Sequence, residues 1–250
     1  RPLPRSVLRA LAAETTWERL EIVERVEDPL DGFVKYLLRC PDGALCEAVR
    51  IPLKKPGCFT VCLSTQVGCA MRCGFCATGR LGLKRHLEAW EMVAGFVAVR
   101  AETPGSLTGA VFQGQGEPLQ NYEAVIQAAK VLSEPCGGRI RAEAITISTV
   151  GLAPAIRRYA AEGHRYRLIV SLTSAVPERR ANLLPVASRH SLEELREAVA
   201  ELAASRPGRT TVAMVLMAGV NTGPDEVEAL RSFVGDLPLR LNLIDVNDDR

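Results

Sequence analysis

Between Cys58 and Val246 the sequence alternates between short apolar runs typical of strands and longer amphipathic runs typical of helices. Six strand-like runs, from CFTVCLST to LRLNLIDV, are separated by five helical ones. Strictly alternating units of this length favour a parallel sheet joined by right-handed crossovers. Six units are too few for a closed eight-stranded barrel, so we expect an incomplete barrel or an open doubly wound sheet.

The residues before Cys58 follow a different pattern. PRSVLRALAAE has apolar residues at helical spacing and predicts a short helix over residues 3–13. Residues 17–52 contain alternating apolar runs joined at LDG and PDG, and Asp-Gly steps of this kind predict an antiparallel meander. We therefore divide the chain into an N-terminal extension, residues 1–56, and an α/β unit, residues 57–250.

Composition is that of an ordinary globular protein, with 24% charged and 47% hydrophobic residues among 250. The net charge of +2 gives no bulk electrostatic attraction to nucleic acid. The sequence has no apolar run long enough to span a bilayer and does not open with a signal segment. We expect a cytoplasmic protein without membrane attachment, in which clustered cysteines indicate metal or redox chemistry rather than disulfides.

Three cysteines, Cys69, Cys73 and Cys76, form a C-x3-C-x2-C pattern just after the first strand of the α/β unit. Thiolates are the ligands of iron–sulfur clusters, and three thiolates on a four-iron cluster leave one iron free for a substrate or cofactor. Two other interpretations stay open: a zinc site completed by Cys62 or a distant His, and buried unreactive thiols. Zinc sites usually have two separated C-x2-C pairs, which this sequence lacks, so the pattern favours a cluster.

Further polar or glycine-rich motifs stand where predicted strands end: GQGEPL, STVG, SLTS and DVND. In parallel α/β folds these loops gather at one edge of the sheet, where ligands bind. Taken alone, each motif has an ordinary explanation as a turn or a cap.

Five segments together resemble the RlmN/Cfr-type RNA methyltransferases of the radical-SAM superfamily, in order and spacing. They are CLSTQVGCAMRCGFCATG, GQGEPL, ITISTVGLAP, SLTSAVPERRANLLPV and LRLNLIDVN, and the resemblance covers about residues 30–247. It implies an incomplete (β/α)6 radical-SAM barrel with a small N-terminal antiparallel β extension. It also implies a [4Fe–4S] cluster on the three cysteines, with S-adenosylmethionine (SAM) bound at the open iron and cleaved reductively to a 5′-deoxyadenosyl radical.

The resemblance also assigns contacts with SAM to residues of the strand-end motifs. These residues are Gly116, Glu117, Ser148, Ser171, Leu172, Thr173 and Asn247. Glu117 would accept hydrogen bonds from the SAM ammonium, and glycine at 116 would let the backbone approach closely. Thr173 stands where the family usually has His, so a ring contact becomes at most a hydroxyl contact, which marks a divergent branch.

Two residues carry the methyl transfer that the resemblance implies, to carbon 2 or 8 of an adenine in RNA. Cys62 would attack the protein–RNA crosslink as a thiolate and release the methylated base, which suits a partly exposed thiol of low pKa. Glu47 would take the proton from the adenine carbon. A buried strand cysteine and a solvated strand charge are the ordinary alternatives. The cysteine that carries the methyl group is expected some tens of residues beyond Arg250.

The partners implied are a ribosomal or transfer RNA substrate and an electron donor such as flavodoxin, with the protein acting as a monomer. Arginines that could contact phosphates are Arg139, Arg141, Arg157, Arg158, Arg165, Arg167, Arg179 and Arg180. Two rival functions stay open. One is a radical-SAM methylase of a small molecule or peptide, suggested by Thr173 and the near-neutral charge. The other is an iron–sulfur binding or electron-transfer protein that does not cleave SAM.

Overall fold

The computed structural model describes residues 3–15, 18–206 and 209–245. The chain begins with one helix and three antiparallel strands: α1 (Arg5–Glu14), β1 (Glu21–Glu27), β2 (Val34–Arg39) and β3 (Leu45–Pro52). Gly32 and Gly43 lie at positive φ, 71° and 82°, in the turns that join these strands, as the two Asp-Gly steps predict. The predicted helix and meander are therefore confirmed.

From Cys58 onwards the structure contains the six strands and five helices that the sequence predicts, with further short elements between them. The strands are β4 (Cys58–Leu63), β5 (Gln66–Gly68), β6 (Leu83–His86), β7 (Ser106–Phe112), β8 (Ile145–Thr149), β9 (Arg167–Ser171), β10 (Thr210–Leu216) and β11 (Leu239–Asp245). The helices are α2 (Ala77–Leu81), α3 (Ala89–Ala101), α4 (Tyr122–Ser133), α5 (Ala153–Glu162), α6 (Pro177–Leu183), α7 (Leu192–Ser205) and α8 (Pro224–Val234).

One nine-stranded sheet runs through the molecule in the order β1-β2-β3-β4-β7-β8-β9-β10-β11. The six strands from β4 to β11 in this order are parallel, which confirms the parallel sheet predicted from the alternation. β3 pairs with β4 antiparallel, so the meander extends the same sheet across residue 56. The division of the chain into two domains at that residue stays a prediction.

The two faces of the parallel strands differ in exposure. In β9 the buried side chains of Leu168 and Val170 alternate with side chains that are at least partly exposed. Residues paired between neighbouring strands point to the same face of a sheet. The register therefore places one row of side chains on the less buried face: Cys62, Val111, Thr146 and Arg167. We call this the open face, and the opposite one the helix-covered face.

The main hydrophobic core lies on the helix-covered face and includes residues of both the meander and the α/β unit. Tyr36 and Leu38 of β2 belong to the same buried cluster as Phe96 of α3 and Leu132 of α4. Burial of one large apolar side chain contributes about 2–3 kcal/mol, so this shared core holds the meander to the rest of the fold. No helix among the described residues is long and apolar enough to cross a membrane.

Three short elements were not predicted from the sequence, namely the β5–β6 hairpin, α2 and α6. Strands of three and four residues and helices of five and seven are too short to display a clear period. They matter for the site because β5 ends immediately before Cys69, whereas α2 begins immediately after Cys76.

Candidate functional site: a thiol loop at the carboxyl ends of the parallel strands

Cys69, Cys73 and Cys76 occupy a tight loop between β5 and α2. The Cys69 N–H donates to the Gly82 carbonyl at 3.0 Å, and the Cys76 N–H donates to the Cys73 carbonyl at 3.1 Å. A Cβ on Gly79 would lie 3.0 Å from the backbone of Cys73, so glycine permits the tight turn. All three thiols are free, and those of Cys69 and Cys73 are buried.

This thiol loop packs against loops that follow two other parallel strands. Its cysteines share an apolar cluster with Val150, which follows β8, and with Leu183 and Leu184 at the end of α6. The Gly74 N–H fixes the contact by donating to the Leu183 carbonyl at 3.0 Å. The strand-end loops therefore do gather around the cysteines, as the parallel topology predicts.

Burial favours the protonated form of the Cys69 and Cys73 thiols. Burial raises the pKa of Cys69, although backbone N–H groups of Met71 and Gly116 stabilise the thiolate and so oppose this rise. It raises the pKa of Cys73 to about 12, with further repulsion from Cys76 and Cys69. A cation that binds these sulfurs must therefore displace their protons, and metal ions do this readily.

The donor set fits an iron–sulfur cluster better than a single ion. Within residues 3–15, 18–206 and 209–245 no three His, Cys, Asp or Glu side chains are grouped so that they could hold one metal ion. Thiolates on a four-iron cluster each bind a different iron, so they need not converge. The apolar surroundings of Cys69 and Cys73 would also limit water access to a cluster.

Gly116 and Glu117 lie beside the thiol loop. Gly116 has φ +102°, and a Cβ there would lie 2.7 Å from the Gln66 side chain, so only glycine fits. The Glu117 side chain is buried, and its carboxylate accepts from the Leu119 N–H at 2.9 Å and from the Val150 N–H at 2.8 Å. Burial raises its pKa to about 7 despite these hydrogen bonds.

The Glu117 carboxylate therefore joins the GQGEP turn to the loop after β8. Each carboxylate oxygen can accept a second hydrogen bond, which leaves acceptor capacity for an ammonium. The expected contact with the SAM ammonium stays a prediction. Gln66 supports this turn by accepting from the Glu117 N–H at 2.9 Å. Sequence reasoning missed Gln66, although it stands in the quoted motif STQVGC.

Ser148 and Ser171, the expected SAM contacts on β8 and β9, lie next to each other. Their hydroxyl oxygens are 3.5 Å apart. Ser148 pairs with Ile169, two residues before Ser171, so both serines point to the open face. Their expected contacts with SAM remain predictions, but the fold does bring the two side chains together.

Leu172 and Thr173 are fully buried beyond the end of β9. Thr173 has φ +62°, which is rare for a β-branched residue. Its buried hydroxyl has no hydrogen-bond partner within the described part of the chain, whereas its carbonyl accepts from Asn221 at 2.7 Å. Asn247, the last expected SAM contact, lies outside the described residues.

Cys62 and Glu47 lie on neighbouring strands, β4 and β3. Cys62 is half-buried, and burial raises its pKa to about 12, with a further contribution from the Glu47 charge. The expectation of a low pKa is therefore wrong for the protein without substrate, because the backbone N–H of Gln113, which favours the thiolate, does not outweigh the desolvation. The Glu47 carboxylate is 2.8 Å from the Lys35 ammonium, in an ion pair at the surface.

Most of the arginines expected to contact phosphates are already used within the protein. Arg157, Arg158, Arg165 and Arg179 form ion pairs with carboxylates. Arg180 is buried, so the prediction that it contacts an RNA phosphate is wrong. Its burial was not visible in the sequence.

Two arginines of that set line a polar cavity of about 510 Å³. Arg141 and Arg167 lie there with Arg209 and Arg240. The lining also includes Glu143, which forms an ion pair with Arg165 and whose pKa the Arg141 charge helps to lower. Arg167 belongs to the open-face row that includes Cys62. A second, mainly apolar cavity of about 810 Å³ lies between Leu20 and α3, away from the thiols.

Comparison with known proteins identifies the family. The model of the radical SAM superfamily matches residues 63–234. A protein of Anaeromyxobacter sp. (strain Fw109-5) named "Probable RNA methyltransferase" is 51% identical over 99% of this chain and 73% of its own length. The "Dual-specificity RNA methyltransferase RlmN" of Sorangium cellulosum is 38% identical over 98% of the chain and 72% of its own length. The chain belongs to the RlmN-type methyltransferases of the radical SAM superfamily.

A solved structure agrees with this. The crystal structure of a radical SAM methyltransferase from Sphaerobacter thermophilus has a TM-score of 0.89 and 39% identity, over 98% of this chain and 72% of that one. Enzymes of the superfamily use a [4Fe–4S] cluster and SAM. The thiol loop of this radical SAM methyltransferase chain has the donor set and the apolar environment that such a cluster needs.

Proposed function

We propose that the protein transfers a methyl group from SAM to ring carbon 2 or 8 of an adenine in RNA. The observation that carries the proposal is the position of Cys62: it lies on the open face of β4, the first parallel strand, which is separated from the thiol loop only by the short strand β5. The printed names of the relatives, RNA methyltransferase and RlmN, support an RNA substrate.

Cys69, Cys73 and Cys76 would hold the cluster, inside an incomplete (β/α)6 barrel formed by the six parallel strands. When bound, the cluster and SAM supply the one-electron cleavage chemistry and the methyl group. Ser148 and Ser171 would hold SAM by hydroxyl contacts on the open face, with Asn247 as a further contact. Gly116 would leave room for the cofactor, while Glu117, through its remaining lone pairs, would orient an ammonium.

Leu172 and Thr173 would line the cofactor pocket at the end of β9. Both are buried directly after Ser171, and the Thr173 hydroxyl is unpaired within the described residues, so it is free to bond a group that enters the pocket. Buried polar groups are costly without a partner, which favours a ligand contact at this position.

Glu47 and Cys62 would act on the RNA. Glu47 would take the proton from the adenine carbon. The Cys62 thiolate would attack the sulfur of the methyl-carrying cysteine, so that a disulfide forms as the bond from that sulfur to the transferred carbon breaks, and the base leaves with the electron pair and is protonated. Because the Cys62 pKa is about 12 in the protein alone, the thiol is protonated at neutral pH and must lose its proton to react. The Glu47 charge contributes to this raised pKa from the neighbouring strand, where Val49, two residues after Glu47, pairs with Cys62.

The arginine cavity would bind RNA phosphates while the target base lies near Cys62. Arg167 and Cys62 are three strands apart in one open-face row, which is roughly 14 Å along the sheet at ~4.8 Å per strand. Guanidinium groups are well suited to phosphate oxygens. The proposed enzyme is cytoplasmic and monomeric, and it would receive electrons from a donor such as flavodoxin.

The test uses the complete gene product with its cluster rebuilt anaerobically. It is incubated with reductant, SAM that has a deuterated methyl group, and unmodified ribosomal and transfer RNA. Nucleosides from digested RNA are then examined by mass spectrometry. Labelled methyladenosine is the expected product. Deoxyadenosine without a labelled nucleoside would instead support a methylase of a small molecule or peptide, whereas neither product would support an electron-transfer protein.

Cys62→Ser separates the role of this thiol from that of the cofactor. The variant is expected to produce deoxyadenosine but to retain RNA covalently, because release needs the thiolate. Cys136→Ser is the matched control, since Cys136 is an exposed thiol away from the loop. Normal release of methylated RNA by Cys62→Ser would refute the assigned role.

A further inference from the structure

The largest fully buried side chain among the described residues is a cation next to the thiol loop. Arg180, in the middle of α6, is 1% exposed. Arginine is almost never fully buried unless it is paired, because desolvation of a charge is costly. Its burial therefore needs a compensating group.

The partners present are backbone carbonyls. Nη1 donates to the carbonyls of Leu172 and Ser171, and Nη2 donates to the Val150 carbonyl at 2.8 Å. The buried Nε has no hydrogen-bond partner within the described residues. A Cβ on Gly151 would lie 3.1 Å from Nη2, so this glycine leaves room for the guanidinium.

No carboxylate neutralises this cation. Arg180 takes part in no salt bridge in the described part of the chain, whereas its neighbour Arg179 pairs with Asp225 and Glu226 at 2.6 Å each. Burial lowers the pKa of Arg180 only to about 10, so the guanidinium is charged at neutral pH. Carbonyl dipoles satisfy its N–H groups but leave its net charge unbalanced.

The cysteines of the loop become thiolates when they bind a cluster. Arg180 is linked to them through α6, because the Gly74 N–H, one residue after Cys73, donates to the carbonyl of Leu183, three residues after Arg180, at 3.0 Å. Val150, whose carbonyl Arg180 holds, and Leu183, one turn further along α6, both pack against the cysteines. Three thiolates on a [4Fe–4S]2+ core carry a net charge of minus one, and minus two after one-electron reduction.

We propose that Arg180 is the counter-charge of the cluster, a positioning residue that stabilises the thiolate-ligated state and favours the reduced form. A fixed buried cation interacts more strongly with the more negative reduced cluster, and net charge is one of the levers that set cluster potentials. By holding the carbonyls of Ser171 and Val150, the same side chain also fixes the edge of the expected SAM pocket. This inference rests on the proposal that Cys69, Cys73 and Cys76 bind the cluster.

The test is an anaerobic redox titration of the cluster-loaded protein with dithionite, followed by electron paramagnetic resonance. Each cluster takes up one electron, and no bond breaks. Arg180→Gln is expected to lower the one-electron reduction equilibrium constant at least tenfold, which is about 59 mV in midpoint potential. Arg189→Gln is the control, because it removes an exposed charge from the segment after α6. This control variant is expected to change the one-electron reduction equilibrium constant by less than a factor of two.

If the Arg180→Gln variant does not fold or bind iron, Arg180→Lys provides a second test. Lysine retains the charge, so its equilibrium constant is expected to stay within tenfold of wild type. A larger fall in the lysine variant, or an unchanged potential in the glutamine variant, overturns the counter-charge role. Failure of the wild-type protein to assemble any four-iron cluster would instead refute the proposed function.

Discussion

The buried carboxyl of Glu117 gives a quantitative test of how the cofactor side of the sheet is built. Its pKa rises from the ordinary 4.5 to about 7 because burial disfavours the charged form. The folded state therefore holds this proton more tightly than the unfolded state. Between pH 4.5 and 7 the folded protein binds more protons, so this group makes stability fall as the pH rises.

The size of the effect follows from the same values. At about 1.4 kcal/mol per pKa unit, the rise from 4.5 to about 7 corresponds to about 3 kcal/mol of stability lost across this window. The Glu117→Gln variant has no titrating group at this position, so its unfolding free energy should not show this fall with rising pH. The glutamine also loses one carboxylate acceptor for the N–H groups of Leu119 and Val150, at a cost of about 1–3 kcal/mol that does not vary with pH.

The measurement is urea unfolding of cluster-free, reduced protein, followed by circular dichroism at several pH values from 4.5 to 7.5. The quantity compared is the slope of the unfolding free energy with pH, not its absolute value. The difference between wild type and Glu117→Gln should change by about 3 kcal/mol across the window. Glu228→Gln, at an exposed carboxylate, is expected to keep the wild-type slope. Parallel profiles for wild type and Glu117→Gln would refute the reasoning.

Three further predictions concern the thiols, the GQGEP turn and the arginine cavity. At pH 7.5 iodoacetamide should modify the exposed Cys136 well before the half-buried Cys62, whose pKa is about 12, as peptide mass spectrometry would record. Gly116→Ala should destabilise the protein by about 3 kcal/mol in urea unfolding, because its Cβ would meet Gln66 at 2.7 Å and φ is +102°. Replacing both Arg141 and Arg167 with Gln should reduce the salt slope of RNA binding by about 1.5, measured by fluorescence anisotropy.

Each of these has an outcome that contradicts it. Modification of Cys62 as fast as Cys136 would mean that its pKa is not raised. A Gly116→Ala variant as stable as wild type would show that the turn has room for a Cβ. For the cavity, the control is Arg157→Gln, because Arg157 is paired with Glu197 and Glu201. An equal loss of RNA affinity in that control would assign the effect to overall charge.

The sequence by itself determined the architecture and the chemistry of the thiol loop. Alternating runs from Cys58 onwards predicted the parallel strands, and Asp-Gly steps predicted the meander, because periodicity and turn residues are local properties. The spacing of Cys69, Cys73 and Cys76 indicated a cluster for the same reason: one short loop supplies all three ligands. The position of the loop after the first parallel strand then fixed the edge of the sheet on which it lies.

Only the tertiary structure decided which charged groups are removed from water. The sequence suggested ligand contacts for Glu117 and Arg180 but did not indicate that both side chains are only 1% exposed. The raised pKa of Cys62 was likewise invisible, since it depends on burial and on Glu47 from another strand. Desolvation depends on neighbours that are distant in the chain, here 30 residues between Arg180 and Val150 and 33 between Glu117 and Val150, so no local pattern encodes it.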